Sequence, residues 1–332
     1  MVLRQQSFPA NPLQQAATPR EGVSKIGFRA LGTDCSIQFV AASSSQAESF
    51  GRAVVDWVAR FESRYSRFRE DSLISRINTA AGRDWVEIDD EMEVLLDFCD
   101  QLHLTTGGVF DPTALPVIRL WYRSLGQPEP EIPTADAVAA SLDRVGWLKV
   151  QREQGRVLLP EAGMALDFGG FGKEYAVDQA FSIAAAHGLR DVLVDFGHDI
   201  RVAGAPPGLP CWHIGLEDPF QPGRCWSSLG ITGKGIASSG DYIRSFVRDG
   251  RRYGHIIDPR TGYPVSNGNR SVTVVSDSCV ESGILSTTAF ILGPEEGREL
   301  IEEAPGAEGC LITEKQTEET RGFYQYVVPT NP

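Results

Sequence analysis

Residues 237–265, ASSGDYIRSFVRDGRRYGHIIDPRTGYPV, place two hydroxyls, a carboxylate and a histidine on closely spaced turns and strand ends. Tyr242, Ile243, Phe246, Val247, Tyr253, Ile256 and Ile257 flank the polar run Arg248-Asp249-Gly250-Arg251-Arg252, the pattern of a β-hairpin with a charged tip. Asp258-Pro259-Arg260-Thr261-Gly262 reads as a turn, since Asp bonds the backbone ahead, Pro presets φ and Gly allows positive φ. His255 stands just before that turn, and Gly240 after Ser238 and Ser239 permits close approach to a ligand. Ser239, Asp241 and His255 therefore gather at the base of the hairpin, which is the chemistry of a site and not of a core.

Outward from this stretch, strands and helices alternate without a regular βαβ rhythm, so the chain is α+β. Ile26–Val40 reads as strands, Gln46–Phe61 and Glu91–Thr106 as amphipathic helices, and Ala135–Val145 as a short helix. Val157–Asp167 suggests two short strands around Glu161-Ala162-Gly163, leading into Gly169, Gly170 and Gly172 and a helix Tyr175–His187. Strand, glycine turn and helix make a phosphate-cradle geometry, although GGxGK is neither a Walker loop nor GxGxxG. Asp191–Val202 is a strand broken at Gly197-His198-Asp199; Trp212–Leu216 and Ser271–Ser276 add strands, and Val280–Leu292 is helical.

The net charge of −13 argues against nucleic acid, which would be repelled at long range. A local patch drawn from Arg67, Arg69, Lys173 and Arg244 still suits one pyrophosphate. The six cysteines show no CxxC pair and no metal-ligand spacing, and read as buried thiols. Residues 1–25 are expected to be disordered; they carry neither the apolar core of a secretory signal nor a lipoprotein-like cysteine, which favours the cytoplasm, or the periplasm if a leader has been removed. No stretch is long and apolar enough to span a membrane. For 332 residues the length prior is about two domains. The motifs run from end to end without a linker, however, so residues 26–325 are expected to form one compound domain.

The 237–265 stretch closely resembles the signature of the ApbE family, the FAD:protein FMN transferases, whose members read TSGDY, a hairpin and HIIDPRTG. Four further stretches follow in the family's order: Ala30-Leu31-Gly32-Thr33; Ser66-Arg67-Phe68 with Asp71-Ser72 and Ile77-Asn78; Gly107–Thr113, similar to GGAFDPT; and Leu166–Lys173, similar to LDLGGIAKG. The resemblance implies a two-lobed, T-fold-like α+β arrangement of mixed sheets with flanking helices and a nucleotide site between the lobes. It implies FAD as substrate, Mg²⁺ as cofactor and a flavin-accepting protein as partner, with FMN moved onto a Thr or Ser hydroxyl and AMP released. Hydrolysis of FAD to FMN and AMP, or FAD binding without catalysis, are the alternatives.

Under this resemblance Leu31, Phe68, Val109 and Phe110 pack on rings of FAD, and Asp111, Asp167, Gly169, Lys173, Ser239 and Ile257 line the nucleotide. From the residues alone, Asp111 equally suits a turn cap, and Asp167 an ion pair that orients Lys173. His255 is the candidate base, because imidazole titrates near pH 6.5; the alternative is a histidine that only bonds a turn or phosphate. Asp241 stands beside it as a second catalytic candidate. The family's EADALST helix carries a metal-binding Asp, and this chain reads Glu281-Ser282-Gly283-Ile284-Leu285-Ser286-Thr287, with Gly283 in that place. Thr287 and the backbone of Gly172 remain as expected ligands. Glu281 points elsewhere around the helix, leaving Asp277 or Asp195 to complete a displaced site or the chemistry to be silenced.

Overall fold

The structure is a computed structural model that describes residues 21–329. The expected disorder of residues 1–25 lies outside the described residues for positions 1–20, while Ser24 and Lys25 already belong to the first strand. Among the described residues eight helices form: α1 (Ser44–Tyr65), α2 (Leu73–Ala80), α3 (Asp90–Thr105), α4 (Leu115–Tyr122), α5 (Ala135–Leu142), α6 (Gly172–Ala186), α7 (Cys279–Leu292) and α8 (Pro294–Glu303). Their starts follow from local chemistry. Ser43, Ser72, Asp89 and Ser278 each accept a backbone N–H three residues on, and α3 adds Asp90, Glu91 and Glu93 in its first turn, where the helix dipole favours acids.

The main sheet has eight strands, whose spatial order follows chain order: Ser24–Ala30, Thr33–Phe39, Val192–Phe196, Asp199–Ala203, Gly235–Gly240, Asn269–Ser276, Glu308–Thr313 and Thr317–Glu319. Every pairing in it is antiparallel, so the class is α+β, with an antiparallel sheet where mixed sheets were expected. Two-residue turns explain much of this. Gly197-His198, with φ of 62° and 72°, reverses the chain where the sequence showed only a broken strand, and Leu31-Gly32, at 54° and 72°, closes the first hairpin.

Helices α1, α6 and α7 pack on the sheet through Phe50, Val54, Val177, Ala180 and Cys279. A second core joins α2 and α3 to the segment from Val157 to Phe171. The expected hairpin near 161–163 lies one turn earlier, as Gln151–Glu153 against Arg156–Leu158, because Gly155 supplies the positive φ at its tip. The following segment is irregular yet pinned. Asn78 donates to the Leu166 carbonyl at 2.9 Å and accepts from its N–H at 2.6 Å, doing the work of a partner strand.

The signature hairpin forms as Ser245–Arg248 against Arg251–Gly254, with Asp249-Gly250 as its tip. Phe246 stacks on Tyr253 and Tyr253 on Trp121 of α4, at 5.1 and 5.7 Å between centroids. Trp121 Nε1 donates to the Gly262 carbonyl at 2.7 Å, so the hairpin and the Asp258–Gly262 turn are fastened to one helix. Gly240, expected to face a ligand, instead lets the Arg270 carbonyl and the Tyr242 ring approach, at 2.9 and 2.7 Å from where its Cβ would stand.

Candidate active site

Three arginines from separate elements converge near Tyr122 at the end of α4. Arg67, just after α1, lies 5.9 Å from the Tyr122 ring and 3.5 Å from Asp167. Burial raises the Tyr122 phenol, and both Arg67 and Arg244 oppose that rise. Arg119 of α4 has its guanidinium lowered first by burial and then by Arg67. Arg119 was missed in the sequence because it lies in an apolar helix with no motif around it. The expected patch changes in two members: Arg69 pairs with Asp71 on the exposed surface, and Lys173 pairs with buried Asp199 of the neighbouring strand and not with Asp167. Arg67 with its partner Asp167, Arg119 and Arg244 gather positive charge at one place on an acidic protein, a composition suited to a phosphoanion.

His255 adjoins this patch. Its imidazole is pushed down to about 4, first by burial and then by the Arg244 charge, while a hydrogen bond with the Arg244 backbone pulls the other way. The ring is therefore neutral at pH 7, and Nδ1 is enclosed with no hydrogen-bond partner among the described residues. That nitrogen is free to accept a proton. The ordinary imidazole value near 6.5, on which its reading as a base rested, is thus lowered here by desolvation. Asp241 is pushed up to about 6 by burial, which outweighs the attraction of Arg270. Arg252 Nη2 comes within 2.8 Å of Asp241 Oδ1 but out of line for a hydrogen bond, while a bond from the residue's own backbone N–H also favours the charged carboxylate.

A hydroxyl cluster joins the Gly235–Gly240 strand to α7. Ser239 Oγ lies 2.9 Å from Ser286 Oγ and 2.8 Å from Thr287 Oγ1, which brings together the expected residues Ser239 and Thr287 and adds Ser286. Gly283 is one turn before Thr287. The space above it is filled from α6, because a Cβ at 283 would stand 2.7 Å from Glu174 Cγ and 3.0 Å from its Oε1. Glu174 was not singled out in the sequence, where the helix was set to begin at Tyr175; it stands in the first turn of α6. Asp277 pairs with Lys234, and Asp195 accepts from the His198 N–H at 2.8 Å. Glu281 bonds the Asp277 N–H and faces the helix start. Among the described residues no three His, Cys, Asp or Glu side chains form a metal cluster.

Other expected residues have structural work. Asp111 Oδ1 accepts from the Thr113 N–H and hydroxyl at 2.7 and 2.5 Å, and its Oδ2 from the Trp147 N–H at 2.9 Å, the turn-capping alternative in full. Val109 and Ile257 are core residues, 4% and 7% exposed. Leu31 holds a positive φ and donates its N–H to Glu62. Phe110 packs edge-on against Phe171 and fills the space over Gly170. Phe68 is 80% exposed with Arg67 4.7 Å over its ring, an aromatic face presented at the edge of the basic patch. In the glycine turn, the N–H groups of Gly169, Phe171 and Gly172 are already bonded to Asp167 and Phe168, which narrows the cradle. A hollow of about 580 Å³ beside α1 and one of about 150 Å³ against Trp121 are lined by other residues than this basic patch.

An antiparallel α+β scaffold carrying a basic patch, a neutral histidine and a hydroxyl cluster has the make-up of a phosphoanion-handling protein. The model of the ApbE family matches residues 31–311, and the chain belongs to that family. It is 31% identical over 260 residues to the FAD:protein FMN transferase of Treponema pallidum, covering 74% of this chain and 71% of the relative. A Klebsiella pneumoniae FAD:protein FMN transferase is 28% identical over 275 residues, 82% of this chain and 84% of the relative. The crystal structure of the ApbE protein of Thermotoga maritima superposes with a TM-score of 0.83 at 29% identity, covering 92% of this chain and all of that one. The apo Pseudomonas stutzeri flavinyl transferase ApbE gives 0.80 at 26%, covering 92% and 96%.

Proposed function

We propose that the protein is an FAD:protein FMN transferase. The carrying observation is the likeness, over most of both chains, to relatives of that name. In this reading the FAD pyrophosphate lies against Arg67, Arg119 and Arg244, whose positive charge offsets that of the two phosphates. Phe68 offers its exposed face to a ring of the dinucleotide. The hydroxyl oxygen of a Thr or Ser on the target bonds to the flavin-side phosphorus as the bond from that phosphorus to the bridging oxygen breaks. AMP leaves with the bridging oxygen and the electron pair, and the hydroxyl proton passes to His255 Nδ1. A neutral imidazole of depressed basicity gains basicity when a dianionic ligand replaces water beside it.

The hydroxyl cluster and Glu174 suit a divalent cation as a further component of this reading. The hydroxyls of Ser239 and Thr287 are hard oxygen donors, and a buried carboxylate oxygen of Glu174 lacks a partner among the described residues. Such an ion, Mg²⁺ by family, supplies neutralisation of the pyrophosphate charge. The test is incubation of the chain with FAD and a Thr-bearing acceptor peptide, with and without Mg²⁺, followed by separation of FAD, FMN, AMP and peptide. AMP in equal amount to flavinylated peptide supports the reading; FMN with unmodified peptide replaces it with hydrolysis, and intact FAD overturns it.

A further inference from the structure

We propose that Glu174, reaching from α6, is the carboxylate ligand of the cation site, standing in for the acid that α7 lacks at Gly283; the assignment rests on the cation-assisted reading above. Two independent observations carry it. Glu174 Oε2 is buried with no hydrogen-bond partner among the described residues, a costly state for a carboxylate unless a cation or a proton meets it. The same side chain occupies the volume that a residue at 283 would enter, with Oε1 only 3.0 Å from the position of its Cβ.

The helices are held in the register this needs. Asp178, one turn beyond Glu174 on the same face of α6, accepts from the N–H groups of Cys279 and Val280 at 3.0 and 2.9 Å, which fixes the start of α7 against α6. Gly283 follows Cys279 by one turn, and Thr287 follows Gly283 by another. Glu174 thus meets α7 beside the turn that presents Thr287, whose hydroxyl already bonds Ser239. The motif LDLGGIAKG ends in glycine where this chain has Glu174, so acid and glycine have changed places across the helix pair. A glycine at 283 is what makes room: its Cβ would stand 2.7 Å from Glu174 Cγ, closer than real atoms pack.

The experiment is Mn²⁺ titration of the full chain by electron paramagnetic resonance, with and without FAD, with Mg²⁺ as competitor. The chains compared are the wild type, Glu174→Gln, Gly283→Asp and the double variant Glu174→Gly with Gly283→Asp. Glu174→Gln is expected to weaken Mn²⁺ by at least the roughly 10- to 100-fold that loss of an outer-shell partner costs a metal site. Its melting temperature in EDTA stays at or above that of the wild type, since the substitution removes an unpaired buried charge. Gly283→Asp alone is expected to lower the melting temperature and leave Mn²⁺ no tighter, because two acids crowd one space. The double variant is expected to regain binding. Unchanged Mn²⁺ affinity in Glu174→Gln, or a double variant that folds and binds no Mn²⁺, overturns the assignment and leaves the cation-assisted reading standing. A wild type that binds FAD and no Mn²⁺ overturns both.

Discussion

Acid should weaken this protein through His255 before it weakens it through most of its carboxylates. Folding encloses an imidazole that would take a proton near pH 6.5 in the unfolded chain and holds it down to about 4. Between those values the unfolded state binds more protons than the folded one, so stability falls as pH drops through this window. At about 1.36 kcal/mol per pH unit, the 1.5 units from 6.5 down to pH 5 amount to roughly 2 kcal/mol. That is an upper figure, because the partly exposed edge of the ring lets water screen the charge. The measurement is urea unfolding of the wild type and His255→Gln at pH 7.5, 6.5, 5.5 and 5. The variant does not titrate, so its stability relative to the wild type should rise by up to about 2 kcal/mol across the series. Asp241 works in the opposite direction, its folded value of about 6 making acid favourable between 6 and 3.8, and it contributes equally to both proteins. Parallel stability curves for the two proteins would refute the enclosure of His255 and with it the neutral base.

Three further outcomes are expected. Asp111→Ala orphans the N–H groups of Thr113 and Trp147, at about 1–3 kcal/mol for each buried one, so urea melts should show a loss of roughly 2–6 kcal/mol; an unchanged melt would free this carboxylate for a ligand role. Phe68→Ala should weaken FAD binding in a fluorescence titration while leaving the melting temperature within about a degree, since substitutions at such exposed sites usually fall within about 0.5 kcal/mol; equal affinity would remove Phe68 from the site. Lys173→Met strands Asp199 in the interior and should cost about 3–5 kcal/mol, read by thermal melting at pH 7 and partly recovered by adding Asp199→Asn; a stable single variant would show that the pair is dispensable.

Much of the scaffold was legible because it is written locally. The Asp249-Gly250 tip and the Asp258–Gly262 turn each follow from a few neighbouring residues. The hairpin Gln151–Leu158 was misplaced because two glycine-bearing turns compete there, at Gly155 and Gly163, and only the packing of Val157 beneath α2 and α3 decides between them. The site was legible as a set of motifs and less so as a set of roles. Ser239 and Thr287, read from separate motifs, meet in the structure, while Asp111 spends its carboxylate on a turn and Lys173 finds Asp199, a partner 26 positions along the chain. Arg119 and Glu174 were silent for the same reason: their meaning depends on which helix lies opposite, and periodicity carries no record of that.

The backbone lock that Asp178 imposes on α6 and α7 has an evolutionary corollary. With the two helices unable to slide, positions 174 and 283 share one volume and cannot drift independently. A lineage exchanging acid and glycine between them meets two unequal stepping stones. One, with both acids, is overcrowded, and the other, with neither, is folded but stripped of its charge. Among descendants of such a chain, residue 174 would be expected to change only in company with residue 283.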